Sequence, residues 1–225
     1  MTNQQYYEGI RDLYRDAGKP ERAQKSYLYM KGCADFFGLM MAEWMGIGKK
    51  YATEKGWPDG PDLVEVVRRC FADDHRELHY FALEITQKQV KTQPPDFIFF
   101  LEELILEKSW WDTVDWIAKL VALFFQKNPN LIRPTVERWM ASENRWLMRV
   151  AITFQRYYRE KTDTELLFEC IRKVRGSREF FLQKGAGWAL RELSKSKPEL
   201  VRQFVENTDG LAPLTRREAL RLMKN

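Results

Sequence analysis

Lys108-Ser109-Trp110-Trp111-Asp112-Thr113-Val114-Asp115-Trp116 is the densest chemistry-bearing run of the chain, with two carboxylates and three indoles within seven residues. On a helix opened by Ser109, Trp111 and Asp115 stand four residues apart and share a face. One side chain then offers a flat apolar platform beside the anionic oxygens of the other. The structural alternative has the tryptophans in the core, Asp112 supporting the first turn and Asp115 paired with Lys119 one turn on. An aspartate among buried tryptophans needs a partner, which makes the run a candidate site.

Two further segments share the pattern Trp-x-x-Arg: Trp146 to Arg149 and Trp188 to Arg191. Gly185-Ala186-Gly187 precedes Trp188, and small residues let a helix or a ligand approach closely. Arg149 and Arg191 on such faces suit a phosphate, while helix packing with two exposed arginines is the plain alternative. His75 and His79 are four apart but lack the Glu that a zinc-protease motif places directly after its first His, and no third ligand is evident, so no metal site is expected. Glycine-rich phosphate loops, nucleophile elbows and Cys/His dyads are absent from the sequence.

Helices must position these groups. No alternating β-branched runs bounded by turns occur, whereas helix punctuation recurs, so the expected class is all-α. Thr162-Asp163-Thr164-Glu165 has capping-box spacing, followed at helical period by Leu166, Leu167, Cys170, Ile171 and Val174. Pro129 and Pro198 suit first helical turns, and Pro134 either starts its helix late or kinks it. Gly56, Gly176 and Gly210 suit helix ends. About ten to twelve helices of roughly 10 to 18 residues are expected, joined by short polar turns, with no linker where a second domain could begin. Tryptophan-led segments return at Trp111, Trp146 and Trp188, a period of the kind seen in stacked HEAT-like helix pairs.

At 225 residues, 44% hydrophobic and with 31 aromatic side chains, the chain can bury a core, which excludes disorder. Its apolar stretches are too short or too interrupted to cross a bilayer, and Met1 to Tyr7 shows no secretory signal, so a cytoplasmic protein is expected. Cys33, Cys70 and Cys170 are odd in number and far apart, as reduced thiols would be. Net charge is +5, but residues 131 to 225 alone carry +8, with 14 arginines among 20 basic residues. That half reads as a polyanion-facing surface or as an uneven solvated one.

The order of these motifs resembles the DNA alkylation-repair glycosylases of the AlkD-like HEAT-repeat group. The resemblance rests on Tyr29-Met30-Lys31, Leu101-Glu102-Glu103-Leu104-Ile105, the run Lys108 to Asp115, Trp146-Leu147-Met148-Arg149 and Thr162 to Phe168. It continues through Glu179 to Glu192, with its Gln-Lys-x-x-Gly-Trp-x-Leu-Arg-Glu run, and Leu211 to Ala219. Nearly the whole chain is covered. The segment Leu39-Met40-Met41-Ala42-Glu43-Trp44-Met45 departs from the group, where Thr-Pro-Glu-Arg-Arg is frequent.

This resemblance implies a single domain over residues 1–225, a curved solenoid of HEAT-like helix pairs with a concave DNA-binding face, acting as a monomer without metal or cofactor. It implies a DNA glycosylase whose partner is double-stranded DNA containing alkylated purines. Asp115 would be the catalytic carboxylate, Trp111 and Trp188 the aromatic pair flanking the lesion's deoxyribose, and Arg149 and Arg191 DNA contacts. An alkyl group on N7 of guanine or N3 of adenine makes the base cationic, so it departs neutral without the general acid that ordinary glycosidases supply. The alternatives are a non-catalytic HEAT-like module that binds DNA structures and a protein-binding helical scaffold. Steep loss of DNA affinity with salt would exclude the scaffold.

Overall fold

The computed structural model describes residues 1–223, which among them form thirteen α-helices and no β-strand. A single isolated parallel bridge joins Asp35 and His75. The chain divides into two compact units, Met1–Thr113 and Val114–Asn225.

The first unit holds α1 (Asn3–Asp16), α2 (Pro20–Tyr29), α3 (Met41–Lys55), α4 (Gly60–Ala72), α5 (Arg76–Gln89), α6 (Phe97–Leu106) and the first residues of α7 (Trp111–Phe125). Thr2 opens α1 with a reciprocal capping box: its hydroxyl accepts the Gln5 amide at 3.2 Å while the Gln5 side chain accepts the Thr2 amide at 2.9 Å. Gly56, with φ 95, ends α3 in a conformation that a Cβ would strain. α4 packs on α1 and α5, and α3 on α1 and α5. Between them lie Tyr14, Leu63, Phe71, Leu78 and Phe81, all essentially sealed from water. Each such side chain contributes about 1.5–3 kcal/mol by leaving solvent.

The second unit takes the rest of α7, then α8 (Ile132–Ala141), α9 (Arg145–Thr153), α10 (Thr164–Val174), α11 (Phe180–Ser194), α12 (Pro198–Glu206) and α13 (Pro213–Ala219). α11 is central, packing on α9, α10, α12 and α13. Asn144 caps α9 by accepting the Trp146 and Leu147 amides. Pro198 occupies the first turn of α12, where its missing N–H removes no helical bond. Pro134 lies in the first turn of α8, which begins at Ile132 after a short 3-10 turn over Pro129–Leu131, so the helix starts ahead of the proline and its missing N–H removes no internal helical bond.

Two local expectations shift by small steps. α10 is capped by Asp163, whose carboxylate accepts the Leu166 amide, and not by Thr162; the backbone at 163 is instead exchanged with the Gln155 side chain. Ser109 does not open α7, because its hydroxyl donates back to the Ile105 carbonyl at 2.6 Å and so finishes α6.

Candidate active site

The approach to α7 is built in the first unit. Lys108 adopts the left-handed backbone region at φ 42, a strain for a residue with a Cβ. Its ammonium donates to the Ala72 and Asp73 carbonyls at 2.8 and 2.7 Å and meets the Asp74 carboxylate at 2.7 Å, which pins this turn to the end of α4. Asp112 then receives both Nε and Nη2 of Arg76 at 3.0 Å and the Tyr80 hydroxyl at 2.7 Å. Arg76 is fully buried, and its Nη1 also reaches the Lys108 carbonyl and His79 Nδ1. Burial, helped by Asp112, pushes the Tyr80 phenol above its ordinary range. Asp112 is therefore committed inside the unit and does more than support a first turn.

Asp115 lies one turn after Trp111 on α7 and faces a different partner. Arg149 of α9 grips it fork to fork, with Nε on Oδ1 and Nη2 on Oδ2, each at 2.9 Å. The third guanidinium nitrogen donates to the Phe181 carbonyl at 2.5 Å. Arg149 is only 3% exposed, whereas the Asp115 side chain keeps 14% of its surface. The pairing of Asp115 with Lys119 is thus not the one adopted. A carboxylate offers about four lone-pair directions, so the two N–H bonds of the fork leave capacity on its open side.

Glycines make this arrangement possible. A Cβ at Gly185 would come within 3.0 Å of Arg149 Nη1, and one at Gly187 within 2.6 Å of Glu218 Cβ on α13. The small residues before Trp188 admit an arginine on one side and a helix on the other. Glu218 is buried and receives Arg191 Nη1 at 2.7 Å and the Lys184 ammonium at 2.8 Å. The Lys184 bond, with the nearby positive charges, holds its carboxyl below the usual range. Arg191 is thus anchored to α13, while part of its side chain remains at the surface.

Trp188 is half-buried, and Arg156 covers its ring, with Cζ 3.5 Å from the ring centroid. Arg156 comes from a 3-10 turn, Phe154–Tyr157, at the end of α9. Nothing in the sequence around it sets this arginine apart from the others of the basic half. Trp146, the other half of the repeated pattern, is buried and packs on Phe181 at 4.8 Å, so it belongs to the core. Trp111 is half-buried at the start of α7. In the second unit, therefore, Asp115, Arg149, Arg156 and Trp188 form one linked set, with Arg191 held separately by Glu218.

The histidines serve the first unit. His79 is fully buried, stacked on Phe71, and bonded to Arg76 Nη1 and the Asp73 carbonyl. Burial and the Arg76 charge push it down to about 4, so it is neutral. His75 precedes α5, stacks on Phe37 at 3.9 Å and bonds Asp73, which raises its pKa. Among the described residues no group of three His, Cys, Asp or Glu side chains is arranged to hold a metal, and no helix is long and apolar enough to cross a membrane. In the divergent 39–45 segment, Glu43 accepts the Met40 amide and pairs with Arg22, leaving Met40 and Met41 exposed.

Over residues 10–223 the chain matches the family model described as DNA alkylation repair enzyme. No curated protein gives a significant match. Among solved structures it is similar to a predicted DNA alkylation repair enzyme from Enterococcus faecalis, 27% identical with a TM-score of 0.87, over 92% of this chain and 97% of that one. AlkD2 from Streptococcus mutans shares the fold at 17% identity and a TM-score of 0.64, over 81% of this chain and 91% of that one. So does smu.31 from Streptococcus mutans UA159, at 15% identity and a TM-score of 0.64, over 95% and 97%.

Proposed function

Because the chain belongs to the DNA alkylation repair enzyme family, we propose that it is a DNA glycosylase hydrolysing the N-glycosidic bond of cationic N-alkylated purines, 7-alkylguanine and 3-alkyladenine, in duplex DNA. The observation that carries this reading is Asp115, held by the Arg149 fork one turn after Trp111 and still open to solvent on one side.

In this mechanism the alkylated base carries its own positive charge and leaves as a neutral molecule, so no acid is required to protonate it. As the bond breaks, positive charge develops on the deoxyribose. Asp115 stabilises that oxocarbenium character and orients the attacking water, whose proton passes to solvent or to the carboxylate as the new C–O bond forms. The indoles of Trp111 and Trp188 flank the sugar and exclude bulk water. The carboxylate at position 115 favours this enzyme over a non-catalytic DNA-structure-binding module.

Arg149, with all three nitrogens engaged and almost no exposure, acts in this proposal through Asp115 as a positioning residue. Arg191 contributes to DNA binding through N–H groups that Glu218 does not take. The basic second half supplies long-range attraction to the duplex, without metal or cofactor. Incubation with duplex DNA carrying 7-methylguanine, followed by assay for free base, tests the proposal; no release from an active preparation that binds the duplex sinks it.

A further inference from the structure

Arg156 is a buried charge that the proposed reaction leaves unused. It is 7% exposed. Nε donates to the Thr153 carbonyl at 3.1 Å, and Nη2 donates to the backbone carbonyl of Asp115 at 3.3 Å. Nη1 is sealed from water and meets no hydrogen-bond partner among the described residues. Withdrawing a guanidinium from water with an incomplete set of partners is costly, and an apolar side chain of similar volume would fill the space without that cost. An apolar side chain could not, however, touch two particular groups at once. Arg156 stacks on the Trp188 ring with Cζ 3.5 Å from its centroid while bonding the backbone of the residue that bears the candidate carboxylate.

We infer that Arg156 is a positioning residue that registers the Trp188 indole against Asp115; this rests on the reading of those two residues as the lesion site. The planar guanidinium fixes the height and tilt of the indole by stacking on it. Its hydrogen bond refers that plane to the α7 backbone, so the distance between ring and carboxylate is set by one rigid group. Lysine keeps the charge but has no plane to stack and no fork to reach both partners. The half-buried indole presents its remaining surface to a deoxyribose.

The test is a double-substitution cycle on Arg156→Met and Trp188→Ala, with Arg156→Lys and Asp115→Asn alongside. Two quantities are read: single-turnover release of 7-methylguanine, and the preference for a duplex holding a tetrahydrofuran abasic analogue over undamaged duplex. Arg156→Met is expected to slow release about 10-fold or more and to erase the abasic preference, with affinity for undamaged duplex held within about twofold. Added to Trp188→Ala, the same substitution should change neither quantity further. Arg156→Lys recovers only part of either, and it carries the comparison if Arg156→Met fails to fold. Effects that multiply in the double variant, or near-wild-type behaviour of Arg156→Met, overturn the inference. Wild-type release by Asp115→Asn removes the reading of Asp115, while the abasic-duplex cycle still measures whether Arg156 acts through Trp188. A wild type without abasic preference overturns the inference itself.

Discussion

Gly185 stands against Arg149 so closely that a Cβ would lie 3.0 Å from Nη1, and that nitrogen is already tied to the Phe181 carbonyl. The guanidinium is held at three points and has little freedom to yield. Gly185→Ala should therefore displace the fork from Asp115 and slow base release by about 10-fold, with a modest loss of stability. Gly187→Ala, which meets Glu218 Cβ and the Thr215 backbone, should instead cost about 1–3 kcal/mol of stability. Urea unfolding and single-turnover release on both variants separate the two; equal effects on both quantities would contradict the assignment.

Asp115→Asn keeps the shape and one hydrogen bond to Arg149 while removing the charge. The fold and duplex binding should survive, and base release should fall about 100-fold or more. Release at the wild-type rate would remove Asp115 from the mechanism.

Arg149 and Arg191 should behave differently despite their shared spacing. Arg149→Met strands a mostly buried carboxylate and should cost about 3–5 kcal/mol of stability, leaving the salt dependence of duplex binding unchanged. Arg191→Ala should weaken binding to damaged and undamaged duplex alike and lower the salt slope by about one. Titrations at several salt concentrations check this, and the reverse pattern would make Arg149 the phosphate contact.

Discrimination should follow the charge of the base. Duplexes with 7-methylguanine or 3-methyladenine should release base far faster than those with uracil or 8-oxoguanine at neutral pH, because the site contains no identified acid to protonate a neutral leaving base. Comparable uracil release would demand such an acid and defeat the mechanism.

Stability should fall in mild acid through His79. Its folded value of about 4 lies below the ordinary 6.5 of an unfolded chain, so its contribution is complete above 6.5 and is lost as pH falls from 6.5 to 4. The full loss is about 3 kcal/mol. His75, raised by its bond to Asp73, has the opposite sign: its contribution is present in acid and fades as pH rises through its folded value. Urea unfolding at pH 7 and pH 4.5 should show a drop in stability that shrinks in His79→Gln; an undiminished drop would place the acid-sensitive group elsewhere.

The helical class was legible because its signals are local. Pro198 opens a helix, Gly56 ends one, and Trp111 and Asp115 share one helix, each decided by neighbours within four residues. Boundaries were less legible, with thirteen helices of 7 to 15 residues among the described residues against an expected ten to twelve of roughly 10 to 18, because adjacent caps such as Thr162 and Asp163 compete and long-range partners choose between them. The partners of the acidic side chains were not legible at all. Asp115 finds Arg149 34 residues away and Asp112 finds Arg76 36 residues away, choices made by helix packing. Arg156 left no trace in the sequence, since nothing local distinguishes a guanidinium beneath an indole from one in water.

Asp115, Arg149 and Arg156 carry one negative and two positive formal charges, so this cluster is net positive before any ligand arrives. A small free cation such as an N7-methylated nucleoside gains little by approaching it. The same modified base embedded in a duplex arrives with its phosphates, which the positive cluster and the arginine-rich half attract. On the proposed reading, the charge of this cluster and of the arginine-rich half should favour lesions carried on a phosphate backbone over free alkylated nucleosides, without a steric gate.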